Sequence, residues 1–137
     1  MPTVIDHAVQ ARLIVQSPEA RELTAALRYD AGDPFAVRIV FPSDASLDGT
    51  EVTWTFAREL LDAGLRGPAG HGDVRIWPAG LGKSVVELHS SEGVAVLEFQ
   101  GSDLREFLRC SYGEVPADQA VSQLDVDAGL EALLRGV

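Results

Sequence analysis

Hydrophobic and polar residues alternate along much of the chain, with the period of two that is typical of half-buried β-strands. The alternation breaks at glycine, proline and aspartate; Gly32 and Pro34, for example, predict a hairpin between the second and third strands. In the last strand both alternating sets are largely apolar, so we expect it to be covered on both faces. The predicted strands are Val9 to Val15, Leu23 to Tyr29, Phe35 to Phe41, Glu51 to Phe56, Val74 to Trp77, Val85 to His89 and Val94 to Phe99.

The period changes to that of a helix in two places. The segment from Ala57 to Leu65 has helical spacing and predicts a helix of about two turns, with Gly64 after the last turn in the left-handed conformation that often ends a helix. A second helix is predicted to begin with Ser102 as its N-cap and to end at Gly113. We expect it to cover the last strand with an apolar stripe that consists of Leu104, Phe107, Leu108 and Ser111.

A polar stretch after Pro116 leads to a last amphipathic segment, which can form a third helix although Gly129 weakens it. The residues that share its apolar face are Leu130, Leu133, Leu134 and Val137. We therefore predict an α+β fold of about seven antiparallel strands with two or three helices. Residues 1–115 are expected to form the domain, and residues 116–137 a C-terminal tail.

Composition narrows the classes of partner. The 137 residues carry 11 basic and 21 acidic side chains, a net charge of −10, which disfavours nucleic acid and anionic membranes. The single cysteine, Cys110, excludes an internal disulfide and a multi-cysteine zinc site. The N-terminal residues lack a signal-peptide pattern, and no segment reaches the ~20 apolar residues that span a bilayer. We expect a cytoplasmic protein that does not span the membrane.

The stretch LRGPAGHGDVRIWP, from Leu65 to Pro78, is rich in glycine and raises the question of a phosphate or metal site. Phosphate-binding loops lead from a strand into a helix, whereas this one leads from a helix into a strand. His71 and Asp73 could face one side of the loop, but two ligands are too few for a metal site. We predict neither a cofactor nor a metal here, and a connection that uses Gly64, Gly70 and Gly72 for positive φ angles.

Catalytic patterns are also weak. The chain has no G-x-S-x-G motif, and Cys110 lies beside the apolar stripe of the second helix, where a partly buried structural side chain is expected. Glu87 and His89 share one face of a strand and are expected to pair at the surface. We predict no catalytic residues.

Single-stranded nucleic acid remains the alternative function. Arginines point outward from four predicted strands, and Trp77 follows Arg75 on the same side, an arrangement that can stack bases. The four outward arginines are Arg12, Arg28, Arg38 and Arg75. Outward arginines also serve as ordinary cross-strand partners of acids, here Glu22, Glu51 and Glu87, and the net charge favours that interpretation.

Three sequence blocks carry a family resemblance. They are ALRYDAGDPFAV from Ala26 to Val37, VTWTFARELLDAGL from Val52 to Leu65, and PAGHGDVRIWP from Pro68 to Pro78. Together they resemble the SsgA-like family of actinomycete sporulation and cell-division proteins, over roughly Ala8 to Gly113.

The resemblance implies a non-enzymatic protein of the division septum that recruits the tubulin-like GTPase FtsZ or promotes its assembly, directly or through another SsgA-like protein. It also implies curved sheets like those of the Whirly-type single-stranded nucleic-acid binders, and a homo-oligomer, with a trimer favoured. The residues that we expect at a partner interface are Arg75, Trp77, Arg105, Arg109, Leu130, Leu133 and Leu134.

Overall fold

A computed structural model of the chain describes residues 3–14, 21–43 and 49–118. Within these residues there are seven strands and two helices: β1 (Val4–Ile14), β2 (Arg21–Asp30), β3 (Ala36–Phe41), β4 (Val52–Ala57), α1 (Arg58–Arg66), β5 (Val74–Ala79), β6 (Lys83–Ser90), β7 (Gly93–Gln100) and α2 (Gly101–Glu114). All strand pairs are antiparallel, in the order β4-β3-β2-β1-β7-β6-β5. The predicted α+β fold is confirmed, while the third predicted helix lies outside the described residues.

The central strand β1 is longer than its alternation predicts, because it already begins at Val4. It pairs with β2 from Val4 opposite Asp30 to Leu13 opposite Arg21. The missed half contains His7, which takes a core-side position and packs edge-on against the ring of Phe107 at 5.6 Å between centroids. A histidine in such a position hides the alternation that reveals the rest of the strand.

The sheet curls into a half-barrel, and the helices fill its inside. Strands β4 and β5 lie at opposite edges of the sheet but are consecutive in the chain, so α1 runs from one edge to the other. Leu61 of α1 and Leu104 and Phe107 of α2 are almost completely buried in one core with the inward side chains of the strands. This burial is the main force that holds the helices on the sheet.

Predictions about two glycines, Gly64 in α1 and Gly72 in the loop after it, are wrong. Gly64 does not follow the helix but lies inside it, buried, and it does not have a positive φ. A Cβ on Gly64 would lie 2.4 Å from the Cβ of Ile76, so the missing side chain lets α1 contact β5. Among the three glycines expected to need a positive φ, only Gly70 has one, at 101°, whereas Gly72 does not.

The predicted ends of α2 are wrong as well. The helix begins at Gly101, one residue before Ser102, and continues through Gly113 to Glu114. No side chain caps its start; instead the N–H of Gly101 donates to the carbonyl oxygen of Gly82 at 2.8 Å. The partner of the first N–H is thus in the turn between β5 and β6, which local sequence cannot indicate.

The expectation that β7 is covered on both faces is also wrong. Leu97 and Phe99 are buried on the side of the helices. On the other side Val94 is 57% exposed and Val96 is only half-buried. An apolar strip of β7 therefore lies open on the sheet face that carries no helix, which we call the helix-free face.

Candidate partner-binding surfaces

The helix-free face collects the outward arginines as the alternation predicts. The core of the half-barrel takes every second side chain of β1, β2, β3 and β5, so the remaining ones share the opposite face. These side chains are Arg12, Arg28, Arg38, Arg75 and Trp77. The placement expected for a base-stacking surface is therefore correct, and the charges around it decide what it can bind.

Acids neutralise most of these arginines. Arg28 pairs with Asp6 at 3.0 Å, and Arg38 with Asp33 at 3.0 Å. Neither acid was among the predicted partners Glu22, Glu51 and Glu87. Strand register brings Asp6 opposite Arg28 and Glu22 opposite Arg12, and the hairpin brings Asp33 close to Arg38. Paired arginines offer little charge to a polyanion, so this face favours a partner with mixed charges.

Arg75 and Trp77 lie together on β5, as predicted. Nη1 of Arg75 lies 4.0 Å from Oε1 of Glu87. Of the three predicted acid partners, only Glu87 forms an ion pair with an outward arginine within the described residues. Trp77 is half-buried opposite Val85, and Val85 is buried although no helix covers this face. Trp77 thus acts mainly as a packing residue, and only part of its ring is offered to a partner.

Glu87 also pairs with His89, whose Nε2 hydrogen-bonds Oε1 of the carboxylate, as predicted. The backbone N–H of His89 donates to the carbonyl oxygen of Asp73 at 2.8 Å, so the loop before β5 is tied to β6. Over the described ranges, no group of three histidine, cysteine or acidic side chains converges there or elsewhere.

An open groove of about 320 Å³ lies between the middle strands of the helix-free face. Arg12 sits there between Glu22 on β2 and Glu98 on β7 in the strand register. The groove is lined by Gln10, Ala11, Arg12, Glu22, Lys83, Glu98 and Gln100. Amides and charges of both signs suit the polar side chains of another protein.

Helix α2 carries the other described candidates on its solvent side. Nε of Arg109 donates to Oε2 of Glu106 at 2.9 Å, which lowers the pKa of Glu106 and raises the pKa of Arg109. Arg105 is exposed. Because α2 packs inside the half-barrel, these two arginines do not share a surface with Arg75 and Trp77. Leu130, Leu133 and Leu134 lie outside the described residues.

The sequence did not single out Arg58, the first residue of α1. Its side chain is 4% exposed, and its guanidinium lies 4.2 Å from the ring centre of Tyr112 and 5.0 Å from that of Tyr29. Nη1 donates to the carbonyl oxygens of Ser111 at 3.1 Å and of Val115 at 2.7 Å. Arg58 thereby satisfies carbonyls at the end of α2 and joins it to α1 and β2.

The two tyrosines around Arg58 are also fixed. The hydroxyl of Tyr29 donates to the carbonyl oxygen of Pro34 at 3.0 Å, and that of Tyr112 donates to Oδ2 of Asp62 at 2.7 Å. Burial raises the pKa of Tyr29. Burial, followed by the hydrogen bond to Asp62, raises the pKa of Tyr112 to about 12. Both rings therefore stay neutral around the arginine at physiological pH.

Comparisons with known proteins agree with the fold. The family model of the Streptomyces sporulation and cell division protein SsgA matches residues 23–120. The chain belongs to the SsgA family. It is 40% identical to sporulation-specific cell division protein SsgB of Salinispora tropica, over 98% of this chain and 96% of that one. To SsgB of Streptomyces coelicolor it is 38% identical, with 98% of both chains covered.

Solved structures give the same relationship in three dimensions. The crystal structure of an SsgA-like sporulation-specific cell division protein from Thermobifida fusca has a TM-score of 0.79 and 38% identity, with 96% of both chains covered. Another structure, from work on mutations in SsgB that correlate to longitudinal cell division during sporulation of Streptomyces coelicolor, has a TM-score of 0.76 and 39% identity. It covers 87% of this chain and 94% of that one. No helix among residues 3–14, 21–43 and 49–118 is long and apolar enough to cross a membrane.

Proposed function

We propose that this protein is a non-enzymatic regulator of sporulation-specific cell division. It acts as an oligomeric scaffold that recruits the division GTPase FtsZ to septation sites in the cytoplasm, or promotes its assembly there. The observation that carries the proposal is the match, over nearly the whole chain, to relatives named as sporulation-specific cell division proteins. The single seven-stranded sheet supports this proposal, because its hydrogen bonds fix the positions of the surface side chains, so that each copy of a scaffold presents the same contact surface.

The mechanism is multivalency. Each copy in a trimer offers one weak contact to a polymerising partner, and the linked contacts add up only where several partner subunits are close together. Filament nucleation is then favoured at the place where the scaffold accumulates. On the helix-free face, Ile14 lies directly opposite Val96, next to the exposed Val94, and this apolar patch suits contacts between copies.

Co-sedimentation with FtsZ tests the recruiter function. Purified protein is centrifuged with FtsZ that has been assembled with GTP, and with FtsZ kept in GDP as the control. We expect the protein in the pellet only with the assembled form. If it stays in the supernatant with filaments but pellets after addition of another SsgA-like protein, the contact is indirect; if it never pellets, the proposal fails.

The alternative function, a single-stranded nucleic-acid-binding module, is tested by fluorescence titration with an oligonucleotide at low salt. Because Arg28 and Arg38 are ion-paired, we expect no saturable binding. A saturable isotherm that weakens steeply with salt would instead assign the outward arginines and Trp77 to nucleic acid.

A further inference from the structure

The tight turn between β5 and β6 holds the most exposed large apolar side chain among the described residues. Leu81 is 98% exposed, and its φ is +64°, the only positive φ of a non-glycine residue in the described part of the chain. Glycine or asparagine adopts this conformation with far less strain than leucine. Selection for stability alone would therefore favour glycine or asparagine over an exposed leucine at this position.

Two backbone hydrogen bonds hold the turn. Gly80 and Gly82 flank Leu81, and the N–H of Lys83 donates to the carbonyl oxygen of Gly80 at 3.4 Å. The N–H of Gly101 donates to the carbonyl oxygen of Gly82 at 2.8 Å, which ties the turn to the start of α2. A Cβ on Gly101 would lie 2.9 Å from that oxygen, so the contact depends on the glycine. A backbone held in this way loses little freedom when a partner binds the side chain that it carries.

Two cations lie near this turn. Lys83, the only lysine of the chain, follows it by two residues, and Nη1 of Arg105 lies 3.0 Å from the position of a Cβ on Gly101. Within the described residues neither Lys83 nor Arg105 forms an ion pair, whereas Arg28 and Arg38 do. On a chain with a net charge of −10, two cations therefore flank this turn, and Lys83 also lines the groove that contains Glu22 and Glu98.

We propose that Leu81, with Lys83 and Arg105 beside it, is a docking point for a folded protein that presents an apolar pocket bordered by carboxylates. The projecting leucine requires a pocket, and the two cations require acids at its border. A membrane surface fits less well, because one leucine gives little apolar area and the whole chain repels anionic lipids. The inference rests on the proposed function only in that the partner belongs to the division machinery.

Three variants separate the side chain from the backbone. Leu81→Asn keeps the left-handed turn and removes the apolar tip, so its thermal midpoint should equal or exceed that of the wild type. Leu81→Met keeps an apolar side chain of similar reach. Val4→Asn makes the same chemical change at another exposed position, since Val4 is 60% exposed.

The variants are expressed in the host deleted for its own copy, and sporulation septa are counted together with protein level. We expect the strain with Leu81→Asn to form about tenfold fewer septa than the strain with the wild-type protein, as for loss of an interface anchor. The strains with Leu81→Met and Val4→Asn should form the wild-type number. Normal septation with Leu81→Asn overturns the docking point alone. Normal septation in the deletion strain itself overturns both the docking point and the proposed function.

Two binding assays identify the surface that Leu81 contacts. If wild type does not pellet with FtsZ filaments but Leu81→Asn still loses septa, direct FtsZ binding fails and the docking point stands with another protein partner. If wild type floats with phosphatidylglycerol vesicles and Leu81→Asn does not, the tip binds lipid and the protein docking point is overturned.

Discussion

At the scale of single residues, Arg58 shows how a charge can be buried without a carboxylate. The partial negative charge at the end of a helix, here the carbonyls of Ser111 and Val115, takes the place of an acid. Two aromatic faces complete the site. A guanidinium at the first turn of α1 opposes the dipole of that helix, so its position serves α2 rather than α1.

Replacement of Arg58 by lysine tests this role. An ammonium on a flexible stem cannot both reach two carbonyls and stack between two rings, so Arg58→Lys should lower the free energy of unfolding by about 2 kcal/mol. Urea denaturation measures the change. The matched control is Arg66→Lys at the end of the same helix, where the side chain is 75% exposed and little change is expected. Equal stability of both variants would refute a structural role for the guanidinium.

At the scale of elements, α1 decides how the sheet closes. It joins the two edge strands, and at the β5 edge a short bridge between Ala69 and Ile76, together with Pro78, limits pairing with other chains. The close approach of α1 to β5 depends on Gly64, which faces Ile76. A glycine that weakens an isolated helix therefore stabilises the folded protein.

Two helical glycines make a matched pair for this argument. Gly113→Ala, with nothing within 4 Å of the new Cβ, should raise stability by up to ~1 kcal/mol through helix propensity. Gly64→Ala should instead lower it by about 1 to 3 kcal/mol, because the new Cβ collides with Ile76. Thermal unfolding followed by circular dichroism distinguishes the signs. A gain of stability at both positions would show that α1 can move away from β5 at no cost.

At the scale of the whole molecule, the sheet separates two surfaces. One side is filled by the helices, and the other carries balanced charges and the apolar patch of Ile14, Val94 and Val96. A patch of this kind on an otherwise polar sheet is suited to association of copies. The docking point at Leu81 lies in a turn, where an oligomer formed through the sheet can still present it.

The proposed assembly makes a prediction for analytical ultracentrifugation. We expect the 14.7 kDa chain to sediment as a trimer, and Val94→Asp to shift it toward the monomer, because the new carboxylate would be buried without a partner. Val4→Asp is the control, since it adds the same charge elsewhere and should leave the trimer intact. A wild-type monomer at every concentration, or a trimer that tolerates Val94→Asp, would exclude this interface.

The sequence by itself determined the features that repeat locally. Alternation with period two predicts the seven strands, because a half-buried strand shows its burial at every second residue. Helical spacing predicts the stripe of Leu104, Phe107 and Leu108, all of which are buried. The family blocks predict membership of the SsgA family, and the outward arginines follow from the same alternation.

Only the tertiary structure decided the features that depend on residues far apart in the chain. Gly82 accepts the first N–H of α2, Ile76 explains Gly64, and Asp6, which the pattern did not indicate, pairs with Arg28. The open face of β7 and the burial of Arg58 belong to the same class. The local pattern indicates which side chains are buried, whereas strand order and helix packing decide which residues bury them.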